Sequence, residues 1–189
     1  MLVDKDFDYQ AVNDKVFEEI TFKKIVFCEG IGIKNNPYFN YLPIRLNKGE
    51  LLTITSNDYY SDQVMKKKMF VLPIGNNHYK IGATYAWQWE NEAPEENAKR
   101  ILKASFKEIS QAKFNVELHE AGLRPAVKDR RPLIGAHPLQ KHMFVFNGMG
   151  SRGCLIAPKL SMELVDHIEH NKSLNSEVDV MRYENLRKV

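Results

Sequence analysis

A glycine-rich stretch near the end of the 189-residue sequence is a first candidate for chemistry. Residues 148–153, GMGSRG, follow an apolar run, precede a helical pattern and spell G-x-G-x-x-G. Glycines let a backbone approach a ligand closely, and a helix start presents free N–H groups to an anion. A complete dinucleotide fingerprint also needs a buried strand with an acid about 20 residues later. Glu177 and Asp179 are suitably distant, but their segment lacks that pattern. We therefore interpret the loop as part of a ligand site whose main nucleotide-holding part lies elsewhere; a tight strand-to-helix turn is the structural alternative.

Two arginines have the chemistry to bind an anionic ligand. Arg124 stands in the segment GLRP, and Arg152 stands within the glycine-rich stretch. A guanidinium is planar and can hold a carboxylate through two parallel hydrogen bonds. Structural roles stay open for both: Arg124 paired with an acid, and Arg152 at the surface of a helix start.

Two further sets of residues are weaker candidates. Tyr85, Trp87 and Trp89 alternate along the chain and would share one face of a continuing strand. They would line a substrate pocket or pack against the next helix, and we favour packing. Glu163, His167 and His170 fall on one helical face, which is typical of a solvated surface, so we predict no metal site.

The composition places bounds on the class of protein. Hydrophobic residues make up 43% of the chain, and no segment approaches the roughly 18 apolar residues of a membrane span. The N-terminus is acidic and polar rather than secretory, so we expect a cytoplasmic protein. A net charge of +3 does not predict nucleic acid binding. Cys28 and Cys154 stand in apolar surroundings, and we predict two buried thiols.

The elements around these residues predict a mixed α/β (α+β) chain. Buried strands are indicated at 23–28 and 142–146, and helices after Pro94 and after the glycine-rich stretch, where Pro158 suggests a late start or a kink. Residues 31–48 have the composition of a loop. The remaining strands are predicted at 49–55, 69–74, 78–83 and 114–127, with a turn at Gly75-Asn76-Asn77 and a helical face formed by Ala98, Ile101, Leu102, Ser105 and Ile109.

Together these motifs resemble the C-terminal half of flavin-dependent oxidoreductases of the D-amino-acid oxidase and glycine oxidase type. The resemblance covers about residues 20–170. It rests on five ordered motifs: IVFCEG at 25–30; LP at 42–43 with KGE at 48–50; IGAT at 81–84; GLRP at 122–125 with KD, Pro132 and Ile134-Gly135; and the glycine-rich stretch with Ala157-Pro158.

The resemblance implies a fold, a cofactor and a reaction. Residues 1–30 and 118–189 would be the remnant of an FAD-binding domain, and residues 31–117 an antiparallel-sheet substrate-binding domain. The protein would be an enzyme that oxidises a small amine or amino acid by hydride transfer to flavin. Its implied substrate-binding residues are Arg124, Tyr85, Phe70 and Arg152, and its implied flavin-binding residues are Gly30, Gly148, Met149, Gly150, Ser151, Arg152 and Gly153; no catalytic residue is assigned.

The sequence departs from the family at two points. The N-terminal glycine fingerprint that holds the FAD phosphates is missing, so we expect a fragment that binds FAD poorly or not at all. Phe70 replaces a tyrosine whose hydroxyl assists in holding the substrate carboxylate in glycine-oxidase-like members. The substrate would then differ, or Tyr85 or Tyr79 would supply the hydroxyl.

Two alternatives stay open. The Gly-Ser-Arg-Gly form is also similar to the flavin domain of an enzyme that modifies a tRNA wobble uridine. The other alternative is a flavin-free domain that binds a carboxylate ligand. The sequence gives neither the substrate, nor the electron acceptor, nor the oligomeric state.

Overall fold

A computed structural model describes residues 4–186. It divides into two compact units: the first contains the chain up to residue 45 and from residue 125, and the second contains residues 46–124. The predicted substrate-binding segment 31–117 thus differs at its ends from the second unit.

The elements are α1 (Ala11–Asp14), β1 (Val16–Phe17), β2 (Ile20–Thr21), β3 (Ile25–Phe27), β4 (Ile44–Thr55), β5 (Met65–Lys66), β6 (Phe70–Gly75), β7 (His78–Gly82), α2 (Glu96–Lys107), β8 (Asn115–Val127), β9 (Leu133–Ala136), β10 (Met143–Asn147) and α3 (Gly153–His170), with 3₁₀ helices at Gly30–Asn35, Gly150–Arg152 and Val180–Leu186.

The first unit is built on a three-stranded sheet of order β3-β10-β9. Strand β10 pairs parallel with β3 and antiparallel with β9, and its residues Met143 to Val145 are buried. The near-continuous apolar sequence of β10 reflects burial on both faces. Strands form at both predicted places, and β10 is buried as predicted, but β3 is not a buried strand, because Val26 is 38% exposed.

A C-terminal segment, residues 174–183, lies against β9. Its backbone accepts a hydrogen bond from the Ile134 amide at 3.0 Å, and Val180 is fully buried. Gly135 has a φ of +125° and would bring a Cβ within 3.0 Å of Leu174, so only glycine suits this contact. The segment thereby covers one edge of the sheet.

The second unit contains a five-stranded sheet of order β5-β6-β7-β4-β8. Helix α2 covers one face through Leu102 and Phe106, which pack with Leu52, Ile54, Val71 and Ile81. Side chains alternate between the faces of a strand, so Leu51, Phe70 and Gly82, which pair across β4, β6 and β7, lie on the opposite face. We call this opposite face the open face.

Several sequence predictions need correction. Ile101 is 49% exposed, and Phe106 takes its place in the core. Strand β4 begins at Ile44, within the predicted loop, because the polar residues Asn47 and Lys48 are buried by specific partners and hide the strand pattern. Helix α3 begins at Gly153, before Pro158, rather than late.

Both cysteines are exposed, which contradicts the predicted buried thiols. Cys28 follows the buried Phe27 at the end of β3, and the alternation of a strand turns it outward. Cys154 lies in the first turn of α3 and is also exposed. Within residues 4–186, no helix has the length and apolar character to cross a membrane.

Candidate functional site

Arg124 lies across strand β4 in the second unit. Its Nη1 donates hydrogen bonds to Asn47 Oδ1 at 3.0 Å and, more weakly, to the Thr84 carbonyl at 3.4 Å. The guanidinium rests directly on Gly49, where a Cβ atom would come within 1.9 Å of Nη1. Gly49 therefore provides the space that Arg124 occupies.

The alternation of β4 explains the sequence Lys48-Gly49-Glu50. Asn47 and Gly49 share the face that carries Leu51, the open face, whereas Lys48 and Glu50 point to the side of α2. Asn47 is fully buried, and its Nδ2 donates to the Ala86 carbonyl at 2.8 Å. The open face therefore presents the Arg124 guanidinium, which the buried Asn47 amide holds in place.

Arg124 has no ion pair with a carboxylate among the residues that the structure describes; its acceptors are a neutral amide and a carbonyl. This removes the sequence-level alternative of an arginine paired with an acid. The guanidinium is half-buried, and burial lowers the pKa of Arg124, although the guanidinium remains charged. A half-buried cation without a counter-ion is suited to an anionic ligand.

The ring of Tyr85 lies beside Arg124 and contacts the ring of Trp87. Tyr85 is half-exposed with its ring centroid 5.7 Å from the Arg124 Cζ, and it packs edge to face against Trp87 at 5.4 Å. Both rings are about half exposed, and the favoured packing against the following helix stays a prediction. Tyr85 extends the surface around Arg124.

The two candidate tyrosines differ in their access to Arg124. Tyr79 is buried on the α2 face, and its hydroxyl donates to the Tyr59 carbonyl at 2.9 Å, so it cannot serve a ligand on the open face. Phe70 is half-buried on the open face, with its ring tip 3.3 Å from the Cβ position of Gly82. A side chain at Gly82 would also clash with Leu51, so this position of the open face carries no side chain.

The glycine-rich stretch lies in the first unit between β10 and α3. Gly148 and Gly150 have φ values of +72° and +57°, which L side chains adopt only with strain. A Cβ on Gly148 would collide with Val127 at 2.7 Å, whereas Gly150 faces open space. Gly148 is therefore required by packing, and Gly150 leaves the backbone accessible.

Arg152 is exposed and donates through Nη2 to the Arg130 carbonyl at 2.9 Å. The acceptor in that contact is a backbone carbonyl rather than a carboxylate. Through it, one nitrogen of the guanidinium is bound to the loop that follows β8. Gly30, the predicted flavin contact outside residues 148–153, has a φ of +57° with open space at its Cβ position, and its carbonyl accepts from Asn147 Nδ2 at 2.9 Å.

The first unit offers a partial fit to a flavin. The N-cap residue of the 18-residue helix α3 is Arg152, whose guanidinium has no acceptor atom and makes no capping hydrogen bond within residues 4–186. Together with the open backbone at Gly30 and Gly150, this fits a group with negative charge density. The residues fit the edge of a flavin ring rather than a complete FAD.

The two histidines of α3 differ in exposure: His170 is solvated, as the sequence indicated, whereas His167 is half-buried. His167 packs edge to face against Phe144 of the sheet, and its Nδ1 is 2.8 Å from the Lys172 carbonyl. His170 lies 3.3 Å from Asp166.

Sequence reasoning identified Arg124 but missed its partners. Asn47 lay in a segment predicted as loop, and Thr84 contributes a backbone carbonyl that no side-chain pattern reveals. Gly49 was visible only as part of a strand. The signal that could have found it is a glycine inside a strand pattern, which often marks a close approach.

Comparison with known proteins decides the family. Residues 6–167 match the family described as FAD dependent oxidoreductase (DAO). The chain belongs to this family. It is 26% identical over 155 residues to glycine oxidase from Bacillus subtilis, and 27% identical over 153 residues to glycine oxidase from Pseudomonas aeruginosa. A crystal structure of glycine oxidase from Bacillus cereus shares the fold, with a TM-score of 0.68 at 21% identity.

The matches cover most of this chain but less than half of its relatives. The two glycine oxidases align with 80% and 78% of the chain, which corresponds to 40% and 42% of their own lengths. The Bacillus cereus structure covers 82% of the chain and 44% of its own length. This partial coverage agrees with the predicted resemblance to one half of such an enzyme.

Proposed function

We propose that this FAD-dependent oxidoreductase family member oxidises a small amine or amino acid, and that the second unit binds its substrate. Arg124 holds the substrate carboxylate through its free guanidinium edge, beside the ring of Tyr85. The observation that carries the proposal is a half-buried guanidinium, seated on Gly49, without an acidic partner among residues 4–186. The similarity to glycine oxidases supports this choice over a tRNA-modifying enzyme or a flavin-free domain.

The glycine-rich stretch of the first unit supplies flavin contacts in the same proposal. The backbone of residues 148–153, with Gly30, meets the pyrimidine edge of the ring, and the α3 N-terminus stabilises negative charge there. When bound, FAD supplies the hydride acceptor; the protein orients the substrate and tunes the ring. Arg152 adds positive charge at this edge or contacts the substrate. A cytoplasmic location stays a prediction from the sequence.

Phe70 places a limit on the substrate. A phenylalanine cannot donate to a carboxylate, and Tyr79 faces the opposite side of the sheet. The Tyr85 hydroxyl is the remaining candidate donor near Arg124. We therefore propose a carboxylate site that relies on Arg124 with assistance from Tyr85, and a substrate that is not required to be glycine.

Acetate binding to the 189-residue chain tests the proposal. Acetate carries the carboxylate alone, and NMR of the arginine Nε–Hε groups reports its contact with Arg124 directly. We expect saturable binding, and Arg124→Gln should weaken it by at least about tenfold, because a hydrogen-bonded charge contact contributes about 1.5–3 kcal/mol.

Arg100→Gln is the matched control, since Arg100 is an exposed arginine on α2 that contacts Asn97. It should leave acetate affinity unchanged. Equal loss in both variants, or no saturable shift at Arg124 in the native chain, would reject the carboxylate site.

A further inference from the structure

Directly behind Gly49 lies a cluster of titratable groups, which we call the rear network: the buried Lys48 and Glu50, Glu95, whose side chain is 44% exposed, and His119. The side chains of Lys48 and Glu50 are 1% and 3% exposed. Lys48 Nζ lies 3.2 Å from Glu50 Oε1 and 2.6 Å from Glu95 Oε1, and it also donates to the Ala93 carbonyl. The other Glu50 oxygen accepts from the Glu95 amide at 2.9 Å and lies 2.8 Å from His119 Nε2.

Stability alone is a weak reason for such a cluster. Removing two charges from water costs several kcal/mol per ion, and apolar residues of similar volume are often equally or more stabilising. The pKa of Lys48 is nevertheless raised: burial lowers it, but hydrogen bonds to Glu95 and Glu50 outweigh that effect. The ammonium group therefore stays charged, and the network persists as a set of ion pairs.

The rear network holds the same backbone that carries Arg124. Lys48 exchanges two backbone hydrogen bonds with Ala86, at 2.9 and 2.8 Å. Glu50 accepts from the Thr84 amide at 3.0 Å and donates its own amide to Thr84 Oγ1 at 2.9 Å. The Thr84 and Ala86 carbonyls in turn receive hydrogen bonds from Arg124 and Asn47. Displacement of Lys48 or Glu50 would therefore move the acceptors of Arg124.

His119 and Glu95 connect two further elements to this point. His119 belongs to β8, the strand that carries Arg124, and Glu95 is the N-cap residue of α2. Both meet Glu50 on the α2 side of the sheet. The base of the guanidinium is thus fixed from β4, β8 and α2 together.

We propose that Lys48 and Glu50 are positioning residues, which hold Gly49 and its neighbours so that the Arg124 guanidinium is oriented for a carboxylate. This rests on the proposed carboxylate-binding role of Arg124. The two residues contact no substrate, because they lie on the opposite face of β4. Their role is to limit the motion of the surface on which Arg124 rests.

The double substitution Lys48→Met with Glu50→Leu tests this proposal. It removes both charges at similar volume but leaves the Glu95 amide and the Ala93 carbonyl without these partners, so we expect a folded protein with a thermal midpoint below the native value. We expect acetate affinity to fall by about tenfold, because a displaced guanidinium loses a charged hydrogen bond that contributes about 1.5–3 kcal/mol. NMR relaxation of the Arg124 Nε–Hε group should show increased motion, which a purely structural role would not produce in a variant that remains folded.

Glu108→Gln is the control, because it removes an exposed ion pair with Lys68 outside the network. It should bind acetate as the native chain does. If the double variant does not fold, Glu50→Gln replaces it, since this change keeps shape while removing the charge, and it should weaken acetate in the same direction. A folded variant with native acetate affinity and native Arg124 relaxation overturns the positioning role while leaving the carboxylate site intact, whereas a native chain that does not bind acetate overturns both.

Discussion

At the scale of single residues, Gly49 determines whether Arg124 can lie across β4. A Cβ at this position would stand 1.9 to 2.1 Å from three guanidinium atoms. Gly49→Ala should therefore displace Arg124 and weaken acetate binding by at least about tenfold, the loss expected when a charged hydrogen-bond partner is removed. Acetate titration followed by NMR measures this directly.

Gly122→Ala is the matched control for that substitution. Gly122 lies in β8 near Arg124, and nothing stands within 4 Å of its Cβ position. The alanine should bind acetate normally, with stability equal to or slightly above the native chain because the unfolded state loses entropy. Native acetate affinity in Gly49→Ala would show that Arg124 can bind acetate without its present contact with Gly49.

Tyr85 contributes a ring and a hydroxyl, and two substitutions separate them. Tyr85→Ala removes the ring beside Arg124 and should weaken acetate a few-fold, in keeping with about 0.5–1 kcal/mol for an exposed cation–π contact. Tyr85→Phe keeps the ring, so any loss it shows measures the hydroxyl. We expect the phenylalanine variant to lose some affinity, because the proposal assigns that hydroxyl to the carboxylate; equal affinity in Tyr85→Phe and the native chain would remove the assignment.

The sequence predicts Arg124 itself but not the residues that position it. Arg124 is predictable because a guanidinium in a recognisable motif suggests a carboxylate. The position of its guanidinium depends on a close contact with Gly49, which is distant in sequence, and its acceptors include the backbone carbonyl of Thr84. Such contacts follow from sheet register, which single-residue patterns do not specify.

At the scale of elements, the C-terminal segment stabilises the loop between β8 and β9. Arg182 donates to Asp129 Oδ2 at 3.2 Å and to the carbonyls of Arg131 and Pro132 at 3.2 and 2.9 Å. Tyr183 donates to the same Asp129 oxygen at 2.8 Å. The segment therefore ties the loop to the sheet edge that it covers.

Arg182→Gln should lower the free energy of unfolding by about 1–3 kcal/mol, because the Arg182 side chain is only 18% exposed and its guanidinium donates to one carboxylate and to several backbone carbonyls. Urea titration followed by circular dichroism measures the change. Arg131→Gln is the control: it removes an exposed ion pair with Glu177, which typically contributes at most about 1 kcal/mol. A similar cost in both variants would show that the loop does not depend on the Arg182 contacts.

Asp129 makes this contact dependent on pH. Burial raises the pKa of its carboxyl, but hydrogen bonds from the Arg131 backbone, Tyr183 and Arg182 outweigh burial and lower the pKa below its usual value. A lowered pKa in the folded state adds stability above the unfolded value of about 3.9, and that stability disappears as the pH falls through the folded pKa. Asp129→Asn should therefore destabilise the chain at pH 7 and approach native stability near pH 3; a constant difference between the two proteins across this range would contradict the linkage.

Element boundaries show a similar division between what the sequence predicts and what packing decides. The β6–β7 hairpin was predictable, since Asn76 and Asn77 adopt the positive φ values that asparagine tolerates at such turns. Strand β4 begins earlier than predicted because Asn47 and Lys48 in its first half are polar residues buried through hydrogen bonds rather than apolar contacts. Patterns of hydrophobicity detect only the second kind of burial.

At the scale of the whole molecule, the chain spans 40% and 42% of the two glycine oxidases that it matches. The mixed α/β fold and the family could be predicted from five ordered motifs, because those motifs mark strand ends and tight turns that the fold requires. The roles of the two units as substrate-binding and flavin-binding parts remain a prediction, as does the substrate.

Flavin affinity is the prediction that belongs to the whole chain. The contacts proposed for the cofactor lie at one ring edge, through Gly30 and residues 148–153, and the chain spans only 40% and 42% of the two glycine oxidases that it matches. We expect the purified 189-residue chain to retain no stoichiometric flavin absorbance after gel filtration with excess FAD. Riboflavin, FMN and FAD should then bind with similar weak affinities in fluorescence titrations, because the shared ring makes all the contacts. FAD that binds far more tightly than riboflavin would mean that the chain holds the phosphates or the adenosine through residues not assigned above.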